Sequence, residues 1–191
     1  MDFRFFVKEG FFHVLDLNAL DHILFFIAVS IIFTLNEWKK ALLLVSVFTI
    51  AHTITFALSS YRILYVDAKW VEFLIPITIL IPIISNNLKL FKGETNLNSN
   101  YYFTFIFGLI HGLGFSSYFK MLLDKSDDLL VPLLEFALGI EFVQIIIVSL
   151  VLVLNTLVIR YFKIKQKYWV LSVSVILLFK IIPMLIERYP F

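Results

Sequence analysis

The chain has 191 residues, of which 61% are hydrophobic and 22 are phenylalanine, and its mean hydropathy is +0.95. Water-soluble domains are roughly half apolar, so this composition indicates an integral membrane protein. The formal net charge of +2 is small and spread along the chain, which gives no sign of nucleic-acid binding. Because the chain has no cysteine, any bound metal would be held by nitrogen and oxygen ligands.

Residues 1–17 predict a short interfacial segment, because one face of a helix there carries the apolar residues Phe3, Phe6, Val7 and Phe11, while Arg4 and Lys8 lie on another face. A membrane-spanning helix needs about 20 mainly apolar residues, and six such stretches follow. They cover approximately residues 18–35, 41–60, 71–91, 101–123, 129–160 and 168–186. The sequence therefore predicts an all-α integral membrane protein in which residues 1–191 form a single domain of six transmembrane helices.

The predicted orientation follows from lysine and arginine, which favour cytoplasmic loops. These residues are frequent in the loops after the first, third and fifth predicted helices, most clearly in RYFKIKQK at 160–167. This distribution places the 160–167 side of the bundle in the cytoplasm and both termini outside.

Several ionisable side chains lie within or beside the predicted helices rather than in loops. They are His13, Asp21, His22, His52, Glu72, His111 and Glu135. The predicted topology puts them at similar depth, in the half of the membrane that faces the termini. A single intramembrane histidine often does no more than bond across a helix interface. However, unpaired charged groups are costly in a bilayer, so this many at one depth favour a shared site.

Two segments of the sequence resemble each other, since FTIAHTITF at 48–56 and FGLIHGLGF at 107–115 both follow the pattern F-x3-H-x3-F. Each is followed, on the next predicted helix, by an acidic start, VEFLIP at 71–76 and LEFALG at 134–139. Helices two and three are therefore a possible parallel repeat of helices four and five, related by an axis along the membrane normal. Such an axis would bring the two histidines to equivalent depths, and likewise Glu72 and Glu135.

Imidazole together with carboxylate suits a divalent transition metal, whereas calcium and magnesium prefer oxygen ligands. We expect His22, His52 and His111 to converge, with Asp21 or a glutamate as the oxygen donor. His13 should be a fourth nitrogen ligand or a gate at the external mouth, because it lies just before the first predicted helix. The glycines around His111 should allow a neighbouring helix to approach closely.

Three functions fit such a site. The first is a metal permease, in which the external half of the protein captures a divalent ion and the helices rearrange to release it. The second is a membrane-embedded zinc-dependent hydrolase acting on lipid or peptide, with Glu135 or Asp21 as general base. The third is a noncatalytic protein that senses metal or serves as an assembly partner. The residues alone do not decide whether the protein is an enzyme, although they favour the permease.

The sequence also resembles the HupE/UreJ family in five blocks that occur in order over about residues 10–150. These are HVLDLNALDHILFFIAVSIIF, FTIAHTITFAL, VEFLIPITIL, FGLIHGLGFSSYFKMLL and LLEFALGIEFVQ. The resemblance implies a membrane protein associated with hydrogenase or urease systems, some members of which are regarded as nickel permeases. It implies metal handling by His13, Asp21, His22, His52 and His111.

The resemblance is to the broad branch of the family rather than to its nickel-permease branch, because His13 is followed by Val14 and His111 stands alone in its helix. The implied cargo is a divalent transition metal, with zinc, nickel and cobalt as candidates. The implied location is a bacterial inner membrane with both termini periplasmic. The implied partners are the lipid bilayer, the metal ion, and a second copy of the chain or an accessory membrane protein.

Overall fold

The computed structural model describes residues 3–17, 19–93, 98–114 and 129–190. In these ranges the chain is all-helical, without strands, as the sequence predicts. The seven α-helices of the described residues are α1 (Phe3–Val14), α2 (Asp21–Ser30), α3 (Trp38–Ser60), α4 (Ala68–Lys92), α5 (Asn98–Gly114), α6 (Leu130–Thr156) and α7 (Gln166–Glu187). A 3-10 turn, Leu35–Glu37, precedes α3, and a π-helical turn, Leu157–Tyr161, continues α6.

Four of these helices, α3, α4, α6 and α7, are long and apolar enough to cross a membrane by length and composition. Their bounds agree to within a few residues with the predicted helices 41–60, 71–91, 129–160 and 168–186. Helix α5 has 17 residues and ends at Gly114, and the remainder of the predicted helix 101–123 lies outside the described residues. The predicted interfacial segment contains α1.

The predicted helix 18–35 is wrong in length, because α2 covers only the ten residues Asp21–Ser30. At 1.5 Å per residue such a helix is about 15 Å long, which is about half the thickness of the hydrocarbon core. The chain leaves the helical path after Ile31 although Ile32 and Phe33 are fully buried. Helix α2 therefore ends inside the bundle rather than at its surface.

Four amide side chains, which we call the amide cluster, explain how α2 can end there. They belong to α4, α5, α6 and α7 and donate hydrogen bonds to the carbonyl oxygens of residues 28–33. The amide cluster consists of Asn86, Asn100, Asn155 and Gln166. The most heavily used is Asn155, whose Nδ2 lies 3.0 Å from the Ile31 oxygen and 2.9 Å from the Phe33 oxygen. Because no water satisfies backbone carbonyls inside a bilayer, these amides make the break in α2 possible.

We expect Asn155→Leu to lower the free energy of unfolding by about 3 kcal/mol, because buried carbonyls left without a donor are costly. The substitution also removes the acceptor of the Trp169 indole N–H, which lies 2.9 Å from Asn155 Oδ1. Thermal unfolding of the purified protein in detergent measures the change. The exposed Asn36 supplies the matched control, since Asn36→Leu should leave the transition nearly unchanged. Equal effects of the two substitutions would contradict the structural role of the cluster.

Two glycines of α5 allow it to pack closely on α3. A Cβ atom on Gly108 would lie 2.7 Å from the Phe48 carbonyl oxygen, and one on Gly112 would overlap the His52 carbonyl oxygen. From Gly108 to Gly112 on α5, the contacted residue on α3 changes from Phe48 to His52, four positions further along in both helices. The helices α3 and α5 therefore run in the same direction. This close crossing brings His52 and His111 next to each other.

A second glycine contact joins α1 to α6. A Cβ atom on Gly10 would overlap the Phe136 carbonyl oxygen, and one on Gly139 would overlap the Val7 carbonyl oxygen. The two backbones therefore touch directly, without side chains between them. This contact fixes α1 against the bundle and, with it, His13 near the end of α1.

Candidate metal centre

The four histidines of the chain converge, as the sequence predicts, although each comes from a different helix. His13 lies on α1, His22 on α2, His52 on α3 and His111 on α5. Their ring centroids are separated by between 4.0 Å, for His22 and His111, and 6.4 Å, for His13 and His52. We call these four residues the histidine cluster.

Three members of the histidine cluster have a geometry that could hold a metal ion. His13, His22 and His52 each offer one ring nitrogen, and these nitrogens lie within 4.8 Å of one another. Two nitrogens bound to one ion at about 2.1 Å can be up to about 4.2 Å apart, so a small side-chain movement would complete such a set. His111 does not belong to this group of three, but its ring is the nearest neighbour of His22.

The histidine cluster is buried and its nitrogens lack protein partners. His22, His52 and His111 are 1%, 0% and 6% exposed. Among the described residues, no hydrogen bond satisfies His22 Nε2, His111 Nδ1 or either nitrogen of His52. Buried polar atoms in proteins are nearly always hydrogen-bonded, so three buried imidazoles that each have an unsatisfied nitrogen fit a metal site, with one nitrogen from each ring as ligand.

His13 lies on α1, outside the four long apolar helices. Burial lowers the pKa of His13 to about 4, and the negative charge of Asp16 offsets only part of this effect. The imidazole is therefore neutral at pH 7. A neutral imidazole is the form that binds a metal.

The predicted oxygen ligands are engaged by a cation that the sequence reasoning missed. Arg188 Nη1 lies 3.3 Å and 3.2 Å from the two carboxylate oxygens of Asp21, and 3.2 Å from Glu72 Oε2. The structure thus brings Asp21 and Glu72 together, but through a guanidinium group. Glu135 is buried on α6 and, in the described part of the chain, makes no hydrogen bond or ion pair with the histidines.

A cavity of about 720 Å³ reaches the histidine cluster from the protein surface, and His13 and His111 line it. Its rim includes the exposed residues Asp16 and Leu17, which shows where it opens. Four carboxylates lie along its wall, those of Glu9, Asp16, Asp21 and Glu72. A cleft lined by negative charge raises the local concentration of cations. We call this the acidic cavity.

Three phenylalanine rings close the other side of the histidine cluster. Phe48 lies 5.4 Å from His52, Phe107 lies 5.0 Å from His111, and the rings of Phe25 and Phe107 stack at 3.7 Å. All three are fully buried. Along α5, Phe107 lies between His111 and the amide cluster residue Asn100, and along α2, Phe25 lies between His22 and the carbonyls that the amide cluster binds. This phenylalanine layer therefore separates the two polar regions.

Comparison with known proteins gives a match that covers almost the whole chain. A family model described as HupE / UreJ protein matches residues 1–188. Searches of curated proteins and of solved structures found no match to the chain. The matched range includes all four histidines, the acidic cavity and the amide cluster. The chain therefore belongs to the HupE/UreJ family.

Proposed function

We propose that the chain is a membrane permease for a divalent transition metal, with the histidine cluster as the site that takes up the ion. The observation that carries this proposal is the set of unsatisfied buried nitrogens on His22, His52 and His111. Membership of the HupE/UreJ family supports it, because that family suggests an accessory membrane protein for nickel or another metal. Zinc, nickel and cobalt all bind imidazole and are the candidate ions.

The proposal includes a topology of six membrane crossings in a single domain, with both termini on the periplasmic side of a bacterial inner membrane. The four long helices supply four crossings, and α2 and α5 belong to the other two. We also propose that the second and third crossings are repeated, in the same orientation, by the fourth and fifth. The common direction of α3 and α5 supports this repeat.

In this proposal the acidic cavity attracts a hydrated cation and the neutral histidine nitrogens replace part of its water shell. Glu9 and Asp16 attract the ion into the cavity, whereas His22 and His52 bind it deeper in the bundle. Release towards the cytoplasm requires the phenylalanine layer to open. Beyond that layer, the broken end of α2 resembles the discontinuous helices that line ion pathways in many transporters.

The geometry favours transport over hydrolysis. A zinc hydrolase needs a carboxylate beside the metal-bound water to act as general base. Of the two carboxylates that the sequence suggests as a base, Glu135 does not line the acidic cavity and Asp21 is paired with Arg188, so neither is free to act as a base while that pair is intact.

Uptake into reconstituted vesicles tests the proposal. Vesicles containing the purified protein should accumulate Ni²⁺, Co²⁺ or Zn²⁺ faster than protein-free vesicles, as followed by a metal-sensitive dye in the lumen, and His22→Ala should remove this difference. Elemental analysis of the same protein reports bound metal. One zinc per chain without uptake would favour the hydrolase, and the absence of both binding and uptake would refute a metal function.

A further inference from the structure

Arg188 is paired with two of the carboxylates that line the acidic cavity, where a cation is unexpected. It directly follows the last residue of α7, and its Nη1 contacts the carboxylates of Asp21 on α2 and Glu72 on α4 at 3.2 to 3.3 Å. Both acids line the acidic cavity, and Asp21 is the chain neighbour of His22. A positive charge at this point opposes the entry of a metal cation.

The same contact also stabilises the site when no metal is bound. The Asp21 side chain is only 6% exposed, and a buried carboxylate without a counter-charge is strongly unfavourable. The two carboxylates carry a formal charge of about −2 and the guanidinium about +1, which leaves a net charge of about −1. A divalent ion bound at the neighbouring histidine cluster would attract the same two carboxylates and repel the guanidinium, so the two cations compete for them.

The guanidinium of Arg188 is close enough to solvent to move away from the two carboxylates. Its side chain is 22% exposed and that of Glu72 is 50% exposed, so water can solvate a displaced guanidinium. The Arg188 backbone N–H bonds the Met184 carbonyl oxygen at the end of α7, so displacement would move the side chain and leave the helix end in place.

We propose that Arg188 is a built-in substitute cation, which occupies the Asp21 and Glu72 carboxylates while the histidine cluster is empty and leaves them when a divalent metal binds. This inference rests on the proposed function and adds the residue that sets the affinity of the site. A guanidinium that only joins α2, α4 and α7 makes the opposite prediction, because its removal would loosen the site and weaken metal binding.

Isothermal titration of the purified protein with Ni²⁺ and Zn²⁺ distinguishes the two roles. We expect Arg188→Gln to bind metal at least about tenfold more tightly than the unchanged protein, since a nearby positive charge is removed. Adding Asp21→Asn to Arg188→Gln should abolish the gain, because the freed carboxylate provides it. Arg160→Gln, at an exposed position in the π-helical turn, removes the same charge elsewhere and should have no effect. Unchanged or weaker binding by Arg188→Gln would overturn the inference.

The unchanged protein provides a second measurement if Arg188→Gln does not fold. Phenylglyoxal modifies accessible guanidinium groups, and mass spectrometry reports the rate at Arg188. Addition of Ni²⁺ should raise that rate, and it should not do so in the His52→Ala, His111→Ala double variant. A rate that stays constant or falls on metal binding would contradict displacement. If the unchanged protein binds no metal in the titration, the proposed function itself fails, whereas binding without displacement refutes only the role of Arg188.

Discussion

Replacement of His52 by alanine should abolish stoichiometric metal binding while the protein stays folded. His52 is completely buried, and neither of its ring nitrogens is bonded within the described residues, so its removal breaks no hydrogen bond that holds the helices together. Loss of residues that merely orient metal ligands costs about 10- to 100-fold in affinity, and loss of a ligand itself should cost more. Elemental analysis measures the bound metal, and size-exclusion chromatography with thermal unfolding reports the fold.

His111→Ala should have the same effect, since the His111 ring is adjacent to that of His22. Glu141→Gln is the matched control, because the Glu141 carboxylate accepts a hydrogen bond from Ser46 Oγ at 2.9 Å and lies away from the acidic cavity. It should retain full metal content. Full occupancy in a His52→Ala, His111→Ala double variant would show that these histidines only pack helices against one another.

Gly139→Ala should reduce the stability of the protein by about 3 kcal/mol or more, which is the upper part of the range for overpacked positions. The added methyl group would overlap the Val7 carbonyl oxygen and lie 2.9 Å from the Phe11 backbone nitrogen. These are backbone atoms, so no side-chain rotation can relieve the overlap and α1 must move away from α6. Because α1 carries His13, metal affinity should fall together with the unfolding temperature.

Gly114→Ala is the control for this substitution. Gly114 also lies in a helix, but among the described residues a Cβ atom there would meet only Val71 Cγ1 at 3.4 Å, an ordinary contact. Alanine favours helix over glycine by about 1 kcal/mol, so this variant should be at least as stable as the unchanged protein. Equal stability of the two variants would mean that α1 does not need its direct backbone contact with α6.

The four long helices could be predicted from the sequence because the signal is simple. A run of about 20 apolar residues in a bilayer has no alternative to a helix or a closed barrel, so hydropathy alone locates α3, α4, α6 and α7. The end of α2 at Ser30 could not be predicted in this way. The apolar run continues to residue 33, and the amides that end the helix are far away in sequence, such as Asn155.

The histidine cluster was predictable for a related reason. Helix position converts directly into depth in the membrane, so His52 and His111 could be placed at one level, and the glycines beside His111 indicated close packing. The roles of the charged residues were not predictable to the same degree. Arg188 follows the last apolar helix, where a cation looks like an ordinary loop charge, and only the tertiary structure shows that it reaches Asp21 and Glu72.

The broken end of α2 also determines the order in which the protein can be built. Residues 28–33 are synthesised well before Asn155 and Gln166, which donate hydrogen bonds to their carbonyl oxygens. Gly139 on α6, against which α1 packs, is likewise synthesised after α1. The segment that carries His13 and His22 therefore takes its final position only after Gly139, Asn155 and Gln166 have been synthesised. Biogenesis and metal capture are linked, since a nascent chain that has not reached Asn155 already carries all four imidazoles but lacks the donors that hold the end of α2, the helix of His22.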